Sequence, residues 1–336
     1  MKVELMLFDY GAELWFPVMP FLDKKQKKTT IIIFSLILLI SLVAPLLCNA
    51  ATKPDMISLA MYLPPSLLGE GSSTIFSDMR CLQKILKNEI NMEVILDDGS
   101  ASWEQIVSRL ETEKADIAWM PPFYYARARA TNKSSKIRPL AIYQINEKID
   151  SERCIYVRQE SKIKALEDLL ATKIFFPDEA AWMELNSIFS NNKNMSMYDL
   201  DPYHFFIGFR LLTRESAVKA LLFDQVDAIL LEPEYLKYIK DRQSSTLRKI
   251  ECTEPLPNVI IVYRENLDKR IVDTLLLVLS SLHLDPTFSK LHKYFTPTGG
   301  KWVAADEKQL KPWYDIYNDS VIKGWDKTFE ALPISD

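Results

Sequence analysis

Glycine is scarce in this chain, with eight among 336 residues. Neither GxGxxG nor GxxxxGK[ST] occurs. The glycine turns that let backbone approach a dinucleotide or a nucleoside triphosphate are therefore missing, which disfavours both ligand classes. Histidine is scarcer still, three residues (His204, His283 and His292), and the four cysteines form no CxxC. A Cys/His metal cluster is not expected, and no cofactor is predicted. GxSxG and HExxH are also absent, and no SxxK stands with catalytic partners; a protein without enzymatic activity is expected. Acids and bases are interspersed, 45 against 41, for a net charge of −4. That leaves no basic footprint for nucleic acid.

What is present begins with an export signal. Lys24, Lys25, Lys27 and Lys28 precede an apolar run from Ile31 to Leu47, followed by "CNAAT" at Cys48 to Thr52. A charged n-region, an apolar h-region and a small-residue ending predict cleavage after Ala50, with Pro45 breaking the helix just upstream. The residues before Met19 are foreign to such a leader, so a start at Met19 stays open. The apolar run is long for an h-region, and an uncleaved membrane anchor over residues 1–50 is the alternative. Lipid attachment at Cys48 is disfavoured by the bulk of Leu47. A periplasmic or otherwise extracytoplasmic location follows. There Cys81, Cys154 and Cys252 would leave at least one thiol without an intrachain partner.

Beyond the leader, short apolar strands alternate with helical stretches, the signature of an α/β fold. Strands are predicted at Met56 to Leu63, Met92 to Asp98, Ala115 to Met120 and Arg138 to Ile145, with helices at Asp78 to Glu89 and Trp103 to Lys114. A second unit follows: strands at Cys154 to Arg158, Lys173 to Pro177 and Val226 to Glu232, and helices at Lys164 to Leu170, from Ala181, and at Arg214 to Gln225. Leu256 to Asn266 returns as a strand before a long apolar helix from Lys269 to Leu284, and the aromatic tail from Trp302 to Leu332 reads as helical. Carboxylate pairs such as Asp97–Asp98 and Glu232–Glu234 read as turn and helix-start chemistry. "GSSTIFSDMRCLQKIL", Gly71 to Leu86, opens as a helix start whose Ser and Thr are ordinary caps, and whose N–H groups could also meet an anion.

Three stretches taken in order carry a resemblance: "VSRLETEKADIAWMPPFYYARA", a helix feeding a strand that ends in an aromatic loop; "AVKALLFDQVDAILLE"; and "LPNVIIVYRENLDKRIVDTLLLVLSSLHLDP". Over roughly Met56 to Tyr294 the chain resembles the PhnD-like substrate-binding proteins of phosphate, phosphite and phosphonate ABC transporters, a branch of the type II periplasmic binding proteins. The resemblance implies an α/β, two-lobed fold with two crossover hinge strands. Lobe 1 would hold residues 53–150 and 257–295, lobe 2 residues 151–256, and residues 296–336 would pack as a helical tail. It also places Cys154 and Cys252 one on each crossover. A hinge disulfide between them follows as a hypothesis, with two buried reduced cysteines equally open.

The same resemblance implies a ligand cleft and shows departures in it. Where the family offers Ser-Thr-Ser for an oxyanion, this chain has "PDEAAWM", with Ala181, Trp182 and Met183 at those positions. Where the family has His, Arg214 opens a helix. Losing small hydroxyls and gaining Trp and Arg suits a ligand larger than phosphate or phosphonate, with an anionic group for the guanidinium and a face for the indole. Expected ligand-binding residues are Tyr62, Ser72, Ser73, Thr74, Trp119, Tyr124, Asp178, Trp182, Arg214 and Glu232; Trp119 and Tyr124 could equally serve packing. The leading function is a monomeric exported solute-binding protein that delivers a small-molecule ligand to an inner-membrane ABC permease or a sensor protein. The alternative is a membrane-tethered sensory or assembly subunit with the same fold and a degenerate site.

Overall fold

In a strand, successive side chains point to opposite faces, so a run that is apolar at every position is buried on both. The computed structural model describes residues 56–62, 80, 83–100, 102–176, 179–192, 214–236, 246–284 and 299–325. In β1 (Met56–Tyr62), Ile57 and Leu59 join one buried apolar cluster while Ala60 joins the other. β1 pairs in parallel with β2 (Glu93–Ser100) on one side and β3 (Ile117–Met120) on the other. The crossover helix α1 (Trp103–Glu111) buries Trp103, Ile106 and Leu110 along one stripe, and the Ser102 hydroxyl caps it by accepting from the Gln105 backbone N–H at 3.3 Å.

The sheet is completed out of sequence. β4 (Ile137–Gln144) pairs antiparallel with β11 (Ile260–Arg264), which lies between β4 and β3, and β12 (Lys301–Ala304) closes the edge beside β4. The six-stranded order is β12-β4-β11-β3-β1-β2. The chain leaves through β5 (Asp150–Ser151) and returns through β10 (Leu256–Pro257), which pair antiparallel as a two-stranded ribbon. Between those crossovers lies a four-stranded sheet, order β7-β8-β6-β9, made of β6 (Cys154–Arg158), β7 (Ile174–Phe175), β8 (Ala228–Leu231) and β9 (Leu247–Cys252). Two sheets joined by two crossovers are the architecture the resemblance implies. Cys154 and Cys252 are register partners at the ribbon end of β6 and β9, and their sulfurs are bonded.

Four local expectations differ. The aromatic stretch after β3 is a helix, α2 (Pro122–Thr131), rather than a loop. Proline at its first position is pre-set for a helix start, and the Ala and Arg that follow are good helix formers. The tail begins as strand β12 before it becomes helix α6 (Lys311–Lys323), because Trp302 packs edge-on to Tyr143 of β4 with ring centroids 5.0 Å apart. Residues Leu166–Leu169 form a short 3₁₀ turn within the stretch read as a helix. β9 was not anticipated, since "LRKIEC" carries few apolar residues and none of its positions is fully buried.

Helix α6 binds the parts together. It packs on α2, on α3 (Glu179–Asn191) and on β10. The Trp313 indole N–H donates to the Pro257 carbonyl at 3.0 Å, and Phe123 of α2 meets Trp313 with centroids 6.0 Å apart. One continuous apolar cluster holds Ala118 and Phe123 from the first sheet's side, Val157 and Phe176 from the second's, and Trp313 from α6.

Candidate functional site

In α/β sheets, ligands bind beyond the carboxyl ends of parallel strands. In the six-stranded sheet that edge gathers Tyr62, the last residue of β1, and Trp119 of β3, whose neighbour in β1 is Met61. Trp119 is half-buried and packs against the apolar cluster on its face of the sheet. In the four-stranded sheet, β7 leads to α3 and β8 leads to Glu232. The helices that follow these edges meet: Arg127 of α2 donates from one Nη atom to both carboxylate oxygens of Glu179, at 2.7 and 2.9 Å. Glu179 is the first residue of α3, and Glu104 of α1 lies 3.5 Å from the same guanidinium nitrogen. Burial works against the Arg127 charge, yet Glu179 and Glu104 hold its pKa above the ordinary value.

A second charged group sits beside the crossovers. Arg153, between β5 and β6, reaches Glu184 of α3 at 3.4 Å and Glu232 at 3.2 Å. Glu184 is only 3% exposed, and the Arg153 charge offsets part of the cost of burying its carboxylate. Tyr156 of β6 is pushed up to about 12 by burial and by the charges of Glu234, Glu152 and Glu232. Glu152, Cys154 and Cys252 lie close together, but both sulfurs are spent on the disulfide and offer no thiolate to a metal.

The residues singled out from sequence distribute unevenly. Tyr62, Trp119 and Glu232 lie at the carboxyl edges. Tyr124 is buried in α2, stacked on Trp103 at 4.9 Å and edge-on to Phe123 at 5.3 Å. Trp182 is 0% exposed, tilted against Phe176, and donates its indole N–H to the Trp325 carbonyl at 3.1 Å. The structure thus puts Trp182 and Tyr124 in packing positions. Arg214 opens α4 (Arg214–Leu222). Ser72, Ser73, Thr74 and Asp178 lie outside the described residues, as do Cys81 and residues 1–50 with the export signal. Among the described residues, no helix is long and apolar enough to cross a membrane.

Sequence reasoning missed Arg127, Glu179 and Arg153. Arg127 could have been noticed as one of two cations in an otherwise apolar and aromatic helix, "PFYYARARAT". Glu179 stood one residue beyond the acid that was chosen.

Comparison with known proteins gives the family and the fold. Residues 68–310 match the model of a family described as the periplasmic substrate-binding protein of phosphonate ABC transporters. The fold is similar to that of a binding protein component of an ABC phosphonate transporter from Pseudomonas aeruginosa, at 16% identity and a TM-score of 0.61, over 81% of this chain and 88% of that one. It is also similar to PhnD1 from Prochlorococcus marinus in complex with methylphosphonate (14% identity, TM-score 0.59, 80% and 98% covered). A Xanthomonas citri protein bound to chloride ion is a third (12% identity, TM-score 0.58, 83% and 100% covered). These likenesses show the two-lobed type II periplasmic-binding-protein fold. No curated protein sequence matches the chain.

Proposed function

Because the chain belongs to the family of periplasmic substrate-binding proteins of phosphonate ABC transporters, we propose that it captures a small organic anion outside the cytoplasmic membrane and presents it to a permease. The observation that carries this reading is the meeting of α2 and α3, the helices that follow the carboxyl edges of the two sheets, across Arg127 and Glu179. Such an arrangement supports a ligand cleft between the two edges, with β5 and β10 as its hinge.

Within that cleft, Arg214 is the proposed anion partner, with Ser72, Ser73 and Thr74 as further donors, because helix starts and hydroxyls favour negative charge. Tyr62 and Trp119 are proposed to border the ligand's organic part. The burial of Trp182 takes away the stacking face on which a large planar ligand would rest, so alkylphosphonates and alkanesulfonates are the favoured class. The pairing of Glu179 with Arg127 also supports a second reading, a sensory or assembly subunit whose cleft is filled by its own charges.

The test is a thermal melt of the purified protein against phosphate, phosphite, methylphosphonate, alkanesulfonates, amino acids and aromatic acids. A ligand at about 100 times its Kd adds about 2.7 kcal/mol and raises the midpoint by a few degrees. A shift confined to phosphonates or sulfonates supports the transporter reading. Silence across the panel overturns it in favour of the subunit without a working site.

A further inference from the structure

We infer that the Arg127–Glu179 ion pair is a latch that holds the two lobes together without ligand, and that an incoming anion competes with Glu179 for Arg127. The inference rests on the anion-binding reading for its second half only. The two residues belong to helices that follow different sheets, α2 after β3 and α3 after β7. Their side chains are 29% and 11% exposed, so the bond is partly shielded from water. A charge-assisted pair in that setting is stronger than a surface ion pair.

The pair lies beside buried residues of one apolar cluster. On α2, Phe123 and Tyr124 lie one turn before Arg127 and are buried; on α3, Ala180, Trp182 and Met183 follow Glu179 and are buried. Separating the lobes would break this ion pair and leave Arg127 to Glu104. Glu179 also makes α3 begin with a carboxylate, which the helix dipole favours. The carboxylate therefore supplies from within the chain the negative charge that the guanidinium would otherwise take from a solute. An anion that takes the Arg127 Nη atom held by Glu179 displaces that carboxylate, so the latch bears on both the resting closure and the affinity.

The experiment combines small-angle scattering of the ligand-free protein with calorimetric titration of methylphosphonate, on the wild type, Glu179→Gln, Arg127→Gln and the swapped double variant Arg127→Glu with Glu179→Arg. Cooperative thermal melts establish that each is folded. The expected result is a larger radius of gyration in both single variants and a return to the wild-type value in the swap. Methylphosphonate binding should tighten by about 5- to 150-fold in Glu179→Gln, the usual range for coupled equilibria, and weaken in Arg127→Gln. A folded Glu179→Gln with the wild-type radius overturns the latch. Opening in Glu179→Gln with no methylphosphonate uptake by any variant keeps the latch and overturns the phosphonate reading.

Discussion

The indole N–H of Trp313 donates to the carbonyl of Pro257, 3.0 Å away and 56 residues distant in sequence. Pro257 lies in β10, one of the two crossover strands, so the bond ties the C-terminal helix to the hinge. Trp313 is 2% exposed, and Phe123 and Pro257 hold it from two sides. Trp313→Phe keeps most of the packing and leaves the Pro257 carbonyl unpaired. A loss of about 1–3 kcal/mol is expected, read as a lower urea midpoint at unchanged slope.

The disulfide should contribute in a way that is separate from the hinge bond. Cys154 and Cys252 are 98 residues apart, and closing a loop of that size restricts the unfolded chain. Replacing both by alanine is expected to cost about 2–4 kcal/mol, with the fold retained because β6 and β9 keep their ladder. Non-reducing peptide mapping checks the premise: the two cysteines must appear in one linked peptide pair.

Acid should weaken the attachment of the tail. The Glu307 carboxylate accepts from Tyr314 at 3.0 Å, from Arg129 at 3.1 Å and from the Tyr125 hydroxyl at 3.4 Å. Burial opposes its charge, but those bonds win and hold its pKa below the ordinary 4.5. A carboxyl with a depressed folded-state pKa stabilises fully above its unfolded value, and that stabilisation is lost as pH falls through the folded one. Denaturation titrations from pH 6 down to pH 3 should therefore show a steeper decline in the wild type than in Glu307→Gln. Equal slopes would remove Glu307 from the acid response.

Arg214 tests the site rather than the fold. Arg214→Ala is expected to abolish the thermal shift given by an anionic ligand with little loss of stability in the ligand-free protein. An undiminished shift would take Arg214 out of the cleft.

Which features were legible in the sequence follows from range. β1, β3 and β8 are short apolar runs, and their character is set by residues within a few positions of each other. The resemblance raised the cysteine pair only as a hypothesis beside two reduced cysteines, because the register that sets Cys154 opposite Cys252 joins strands far apart in sequence. The Arg127–Glu179 bond was not legible, because neither residue looks unusual until α2 and α3 are brought together across 52 positions. Trp182 was ambiguous for a related reason. An indole at a site position signals stacking or packing equally well, and only the Trp325 carbonyl and the Phe176 ring decide for packing.

β12 was hidden for want of a local pattern, and it provides the last prediction. Its approach to β4 depends on Gly300, where an added Cβ would run into the Gln144 carbonyl oxygen and lie 2.9 Å from the Tyr143 ring. Backbone on one side and a fully buried ring on the other leave no flexible group to yield. Gly300→Ala must therefore push β12 off the sheet edge, lifting Trp302 from Tyr143. Overpacking of this kind costs about 1–3 kcal/mol, and the damage should be local. Hydrogen exchange is expected to quicken at β12 and β4 while β6 to β9 keep their protection; uniform quickening across both sheets would mean that the edge strand holds more of the fold than its four residues suggest.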